Sequence, residues 1–181
     1  MPNVIDNGWL TSACHRPSPN CDERPKDSAI NLLVIHGISL PPGEFGEGWI
    51  EDLFCNQLDP EAHPAFAELS ELQVSAHLLI RRDGSVVQFV PFAKRAWHAG
   101  KSAFAGRERC NDYSIGIELE GTDECPYAAA QYRVLARLAR HLMECYPAIT
   151  PQRIVGHSDV APGRKTDPGP SFDWPLFRSM L

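Results

Sequence analysis

Residues 31–36 read Asn31-Leu32-Leu33-Val34-Ile35-His36, four aliphatic side chains in a row ending on an imidazole. A run this short cannot make a helix of its own. With no polar alternation it predicts a strand buried on both faces, the signature of a parallel sheet. Residues 153–157 (RIVGH) repeat the pattern at the far end of the chain, again finishing on a histidine. Parallel strands of this kind need helices between them, so the chain reads as α/β.

The intervening sequence supplies the other elements. Residues 37–48 contain Pro41, Pro42, Gly43 and Gly46 and predict an extended loop. Trp49, Leu53 and Phe54 have helical spacing before the breaker Pro60, and a short helix is expected after Pro64. Residues 77–82 and 85–90 are two β-prone runs around Asp83-Gly84, a hairpin signal because glycine accepts the positive φ of the turn. Residues 113–120 alternate, with Ile115, Ile117 and Leu119 on one side and Ser114, Gly116, Glu118 and Glu120 on the other. A long amphipathic helix is expected from Pro126, buried through Leu135, Leu138, Ala139, Leu142 and Tyr146, and stopped by Pro147. Residues 174–181 suit a terminal helix. Residues 1–30, with Pro17, Pro19 and Pro25, read as an arm packed on or beside a single domain covering 1–181.

The net charge of −6, from 17 basic and 23 acidic residues, argues against nucleic acid as a partner. Apolar runs of four or five residues cannot span a bilayer, so no membrane contact is expected. Asp6, Asn7 and Gly8 stand where a secretory signal would need an apolar stretch. The six cysteines are irregularly spaced, without a C-x-x-C pair, and read as reduced thiols of a cytoplasmic protein. No obligate protein partner is evident.

His36 and His157 end comparable strands, and parallel pairing would bring both imidazoles to one sheet edge, where α/β folds assemble sites. Asp167 follows in a proline-rich loop. Two imidazoles and a carboxylate suit Zn²⁺ with one position left for water. The same three would also be unremarkable as unrelated polar residues at strand ends, and spacing does not choose between these readings. Glu118, above the small Ser114 and Gly116, suits a general base, or equally a solvated strand face. Lys165, two residues before Asp167, suits oxyanion stabilisation, against the commoner exposed loop lysine. His77 and His98, in apolar surroundings, read first as packing or cleft-lining residues.

Four segments give these residues a family context: VIHGISLPPGEFGEGWI from Val34, VSAHLLIRRDGSVVQFVPFAKRAWHAGKS from Val74, GRERCNDYSIGIELEGTD from Gly106 and GHSDVAPGRKTDPGPSFDW from Gly156. Together they resemble the N-acetylmuramoyl-L-alanine amidases, related in fold to peptidoglycan recognition proteins and phage amidases. Within the family they are most like the cytoplasmic enzymes of cell-wall recycling. The resemblance implies a central mixed β-sheet flanked by helices, with a zinc cleft on one sheet face. It puts the Zn²⁺ ligands on His36, His157 and Asp167, the catalytic pair on Glu118 and Lys165, and substrate contacts on Arg109, Gly37 and His98. Asp167 stands where phage and animal relatives commonly have a cysteine. Gly37 replaces a frequent asparagine, and Gln73 replaces an expected basic residue. The implied substrate is a small muropeptide, cut between (1,6-anhydro-)N-acetylmuramic acid and L-alanine. The implied wider effect is a weaker muropeptide signal for β-lactamase induction.

Three rivals are set against this reading. A non-catalytic peptidoglycan-fragment binding module would typically lack part of the zinc set, which is complete here. A cysteine hydrolase would need Cys110 or Cys125 in a nucleophile context that neither has. An exported amidase would carry a leader.

Overall fold

The computed structural model describes residues 4–181; Met1 to Asn3, the start of the expected arm, lie outside the described residues. Six strands form the main sheet: β1 (Cys14–His15), β2 (Leu32–Ile38), β3 (Leu78–Ile80), β4 (Val86–Gln88), β5 (Ser114–Glu120) and β6 (Ile154–Gly156). Their spatial order is β6-β2-β5-β3-β4-β1. The sheet is mixed: β6, β2, β5 and β3 run parallel, β4 returns antiparallel to β3, and β1 lies parallel to β4 at the edge. The Asp83-Gly84 turn thus makes the expected hairpin, with Gly84 at φ +88°.

Alternation along β2 and β5 divides the molecule into two faces. Leu33, Ile35, Ile115, Ile117 and Leu119 pack against the long helix α2 (Ala129–Cys145) through Leu135, Leu138, Ala139 and Leu142. On the opposite face lie two separate apolar clusters. One joins Leu79 and Val87 to Ile50, Leu53 and Phe54 of α1 (Trp49–Phe54). The other joins Leu32, Val34 and Val155 to Ala99 and Tyr113. His36 and Glu118 belong to this second face by parity.

Three sequence expectations shift. The strand of residues 113–120 is buried along its whole length, its edges paired with β2 and β3 and its Ser114–Gly116 face covered by the His98 ring; the solvated-face reading of Glu118 is thereby excluded. The long helix begins at Ala129, three residues after Pro126, because Gln131 sets its start: Oε1 accepts from the Ala128 N–H, while Nε2 donates to the carbonyls of Ile80 and Glu120. The arm is woven into the domain, not merely laid on it. Cys14–His15 extends the sheet, Cys21–Glu23 pairs with Lys94–Ala96, and the Arg24 guanidinium donates to the carbonyls of Phe92, Asn111, Asp112 and Ser114. These partners lie 68 to 90 residues away, beyond any local reading.

Among the described residues no helix is long and apolar enough to cross a membrane.

Candidate metal centre and active site

Parallel register brings the candidate residues to one level. Glu118 is the register partner of His36, and Gly156 that of Ile35, so His157 follows one step later, level with His36. His157 opens a single helical turn, His157–Val160, where a strand end was expected. The loop after that turn carries Asp167 back: its carbonyl accepts from the Ser158 N–H, and its Oδ2 lies 3.1 Å from His157 Nδ1 and 3.3 Å from His36 Nδ1. The two Nδ1 atoms are 3.0 Å apart. One donor atom from each of the three residues lies within 4.8 Å of the others.

The donor set fits a divalent cation on its own chemistry. Nε2 of His157 lies 3.4 Å from the carbonyl of Ala99, which can only accept. With a cation on Nδ1, the proton of the neutral ring would sit on Nε2 and point at that carbonyl, leaving the Nδ1 lone pair toward the second imidazole and the carboxylate. Burial would raise the Asp167 carboxyl, but the two imidazoles outweigh it and hold the group below the usual carboxylate range. Burial pushes His36 down to about 4, so its ring is neutral at neutral pH and offers a lone pair.

Glu118 sits beside this group, with Oε1 3.9 Å from His36 Nδ1. Its carboxyl is buried and raised well above the ordinary value, first by desolvation and then by the charge of Asp167, with Lys165 opposing. Among the described residues Oε2 of Glu118 has no hydrogen-bond partner. A buried carboxylate oxygen without a partner, among other titratable groups, is a candidate for proton transfer. Lys165 is exposed; its backbone N–H donates to Ala161, closing a turn, and its charge acts on both Glu118 and His36.

The remaining candidates fall in different places. Arg109 is exposed, in left-handed backbone at φ +61°, with Nε 3.2 Å from Asp112 Oδ2. It lines a cavity of 540 Å³ together with Lys101, Ser102, Glu108 and Arg164. The Gly37 N–H donates to Asp167 Oδ2 at 3.4 Å, and a Cβ at this glycine would meet Tyr127 Oη at 2.2 Å. The hydroxyl of Tyr127 donates to the Pro168 carbonyl and fills the space a side chain at position 37 would take. The room above Gly116 is likewise taken, by the His98 ring, 2.5 Å from a hypothetical Cβ. His98 has both nitrogens engaged inside the protein, Nδ1 at 2.9 Å from His36 Nε2 and Nε2 at 3.0 Å from Ser114 Oγ. Cys110 is buried with its sulfur 3.3 Å from Tyr113 Oη, and Cys125 lies half-buried beside Pro126. Sequence reading passed over Tyr127 and Asn111; neither stands in a spacing that signals a role.

Residues 26–170 match the N-acetylmuramoyl-L-alanine amidase family (Amidase_2). The chain is 60% identical over 178 residues to the 1,6-anhydro-N-acetylmuramyl-L-alanine amidase AmpD of Escherichia coli (strain K12), covering 98% of this chain and 97% of that protein. A crystal structure of a selenomethionine AmpD derivative superposes with a TM-score of 0.95 at 59% identity, covering 98% and 99% of the two chains. The amidase AmiD from E. coli, solved with anhydro-N-acetylmuramic acid-L-Ala-D-γ-Glu-L-Lys, superposes with a TM-score of 0.62 at 30% identity, over 98% of this chain and 65% of that one. With a family match across most of its length and a sheet that assembles the expected residues, the chain belongs to the N-acetylmuramoyl-L-alanine amidase family.

Proposed function

We propose that this protein hydrolyses the amide between 1,6-anhydro-N-acetylmuramic acid and L-alanine in soluble muropeptides, using one Zn²⁺ held by His36, His157 and Asp167. The observation that carries the proposal is the convergence of these three donors beside a buried, partnerless Glu118 oxygen, in a chain 60% identical to an AmpD along nearly its whole length. Zn²⁺ at this position would supply Lewis acidity toward the amide carbonyl and toward water. Glu118 accepts the proton of the attacking water, for which its raised affinity suits it. Lys165 places its positive charge near the oxygen on which negative charge develops.

Substrate positioning falls to the rim. Arg109 offers a guanidinium in left-handed backbone lining the 540 Å³ cavity, a fork matched to a peptide carboxylate. Gly37, with no side chain, contributes backbone only. The anhydro sugar marks a fragment released from the wall, which fits a recycling enzyme of the cytoplasm, and its consumption would lower a muropeptide signal.

The test is direct. Purified protein and anhydro-muramyl tripeptide should yield free tripeptide and anhydro-N-acetylmuramic acid by mass spectrometry. A saturable complex without cleavage in zinc-replete buffer would instead favour a binding module.

A further inference from the structure

Both imidazoles of the candidate metal centre are held from behind by one short piece of chain. Nε2 of His36 faces His98 Nδ1 at 2.9 Å, and Nε2 of His157 faces the Ala99 carbonyl at 3.4 Å. The two supports are consecutive residues, although the histidines they serve are 121 positions apart. A single side chain fixes that dipeptide: Oδ1 of Asn111 accepts from the backbone N–H of His98 at 3.3 Å and of Ala99 at 2.8 Å. Asn111 stands in the 3-10 turn Cys110–Asp112, and its own carbonyl is tied to the half-buried Arg24 at 3.0 Å.

We propose that Asn111 is a positioning residue for the metal centre, acting through a His98–Ala99 clamp that sets the tautomer and the aim of both histidine ligands. This rests on the zinc reading above. The Ala99 arm is unidirectional, since a carbonyl only accepts. The His98 arm alone could run either way, because the Ser114 hydroxyl, 3.0 Å from His98 Nε2, can donate or accept. A cation on His36 Nδ1 removes that freedom. The proton of His36 must then sit on Nε2 and point at His98 Nδ1, and His98 must carry its own on Nε2, toward Ser114. The ring has no room to pivot away, since it lies directly on the backbone of Gly116. Outer partners of metal-bound histidines typically affect metal affinity about 10- to 100-fold. Here one amide oxygen commands two of them.

The experiment is zinc binding by chelator competition, with ¹⁵N NMR of the histidine rings, on wild type, Asn111→Ala, Asn111→Asp and His98→Leu. Wild type should bind one zinc, with His98 unprotonated at Nδ1 and protonated at Nε2. Asn111→Ala should bind about 10- to 100-fold more weakly, while Asn111→Asp, which keeps Oδ1, should restore most of the loss. His98→Leu removes one arm only, should weaken binding less than Asn111→Ala, and carries the test if Asn111→Ala does not fold. Zinc affinity unchanged in both Asn111→Ala and His98→Leu would overturn the clamp, as would an Nδ1 proton on His98 in the zinc-loaded wild type. Failure of wild type itself to bind zinc would remove the metal reading, and the clamp with it.

Discussion

Nδ1 of His36 lies 3.0 Å from Nδ1 of His157, and the Oδ2 of Asp167 stands 3.3 Å from the first and 3.1 Å from the second. All three atoms could serve one divalent cation, as the zinc reading proposed above requires. Chelation of the purified protein should therefore abolish hydrolysis, and stoichiometric Zn²⁺ should restore it. His36→Ala should lose both metal and activity. Undiminished turnover in rigorously metal-free protein would sink the zinc mechanism.

Glu118 and Lys165 should separate from metal binding. With three donors supplied by other residues, Glu118→Ala and Lys165→Ala should each retain zinc and fold. Each should lower kcat, by on the order of 100- to 1,000-fold for loss of the oxyanion partner and a comparable factor for loss of the base. The double variant should fall short of additivity, because both groups serve one transition state. A zinc-loaded Glu118→Ala enzyme working at near wild-type rate would show that the base lies elsewhere.

Restoring a side chain at Gly37 should destabilise the protein unless Tyr127 yields. The hypothetical Cβ lies 2.2 Å from Tyr127 Oη but 3.4 Å from its Cζ. Gly37→Ala should cost about 1–3 kcal/mol as overpacking. Tyr127→Phe, which deletes the offending oxygen, should recover part of that in a double-mutant cycle. Denaturant midpoints of the four proteins decide it; strictly additive losses would mean that the strain is relieved another way.

Acid should destabilise the fold through His77. Its Nδ1 accepts from the Gly116 N–H at 3.0 Å, so Nε2 carries the proton and gives it to the Lys94 carbonyl at 3.1 Å. A second proton has nowhere to go. Burial first, and then the Arg24 charge, push this imidazole down from 6.5 to about 3. Between those values the unfolded chain binds a proton that the native state refuses. The contribution is intact above pH 6.5 and is lost as pH falls toward 3, at roughly 1.4 kcal/mol per pH unit. Urea midpoints across that range should fall less steeply for His77→Gln than for wild type. Parallel slopes would assign the acid sensitivity to other groups.

The sequence by itself determined the elements and their chemistry. Four aliphatics in a row before His36, Asp-Gly between two β-prone runs and the alternation of residues 113–120 each encode a local preference, and local preferences are written in adjacent side chains. The family segments put His36, His157, Asp167 and Glu118 in one candidate site without any coordinates. Tertiary structure alone decided what required distant chain segments to meet. Whether Glu118 faced water or protein depended on distant chain packing over that face of the sheet, His98 included. The start of α2 depended on Gln131 reaching the carbonyls of Ile80 and Glu120. The role of the arm depended on Arg24 finding carbonyls up to 90 residues away. The same holds at the candidate metal centre, where residues 36, 98, 111 and 157 share no spacing rule. Side-chain hydrogen bonds across a folded sheet have no sequence period, so the support behind a ligand is visible only once the chain has closed around it.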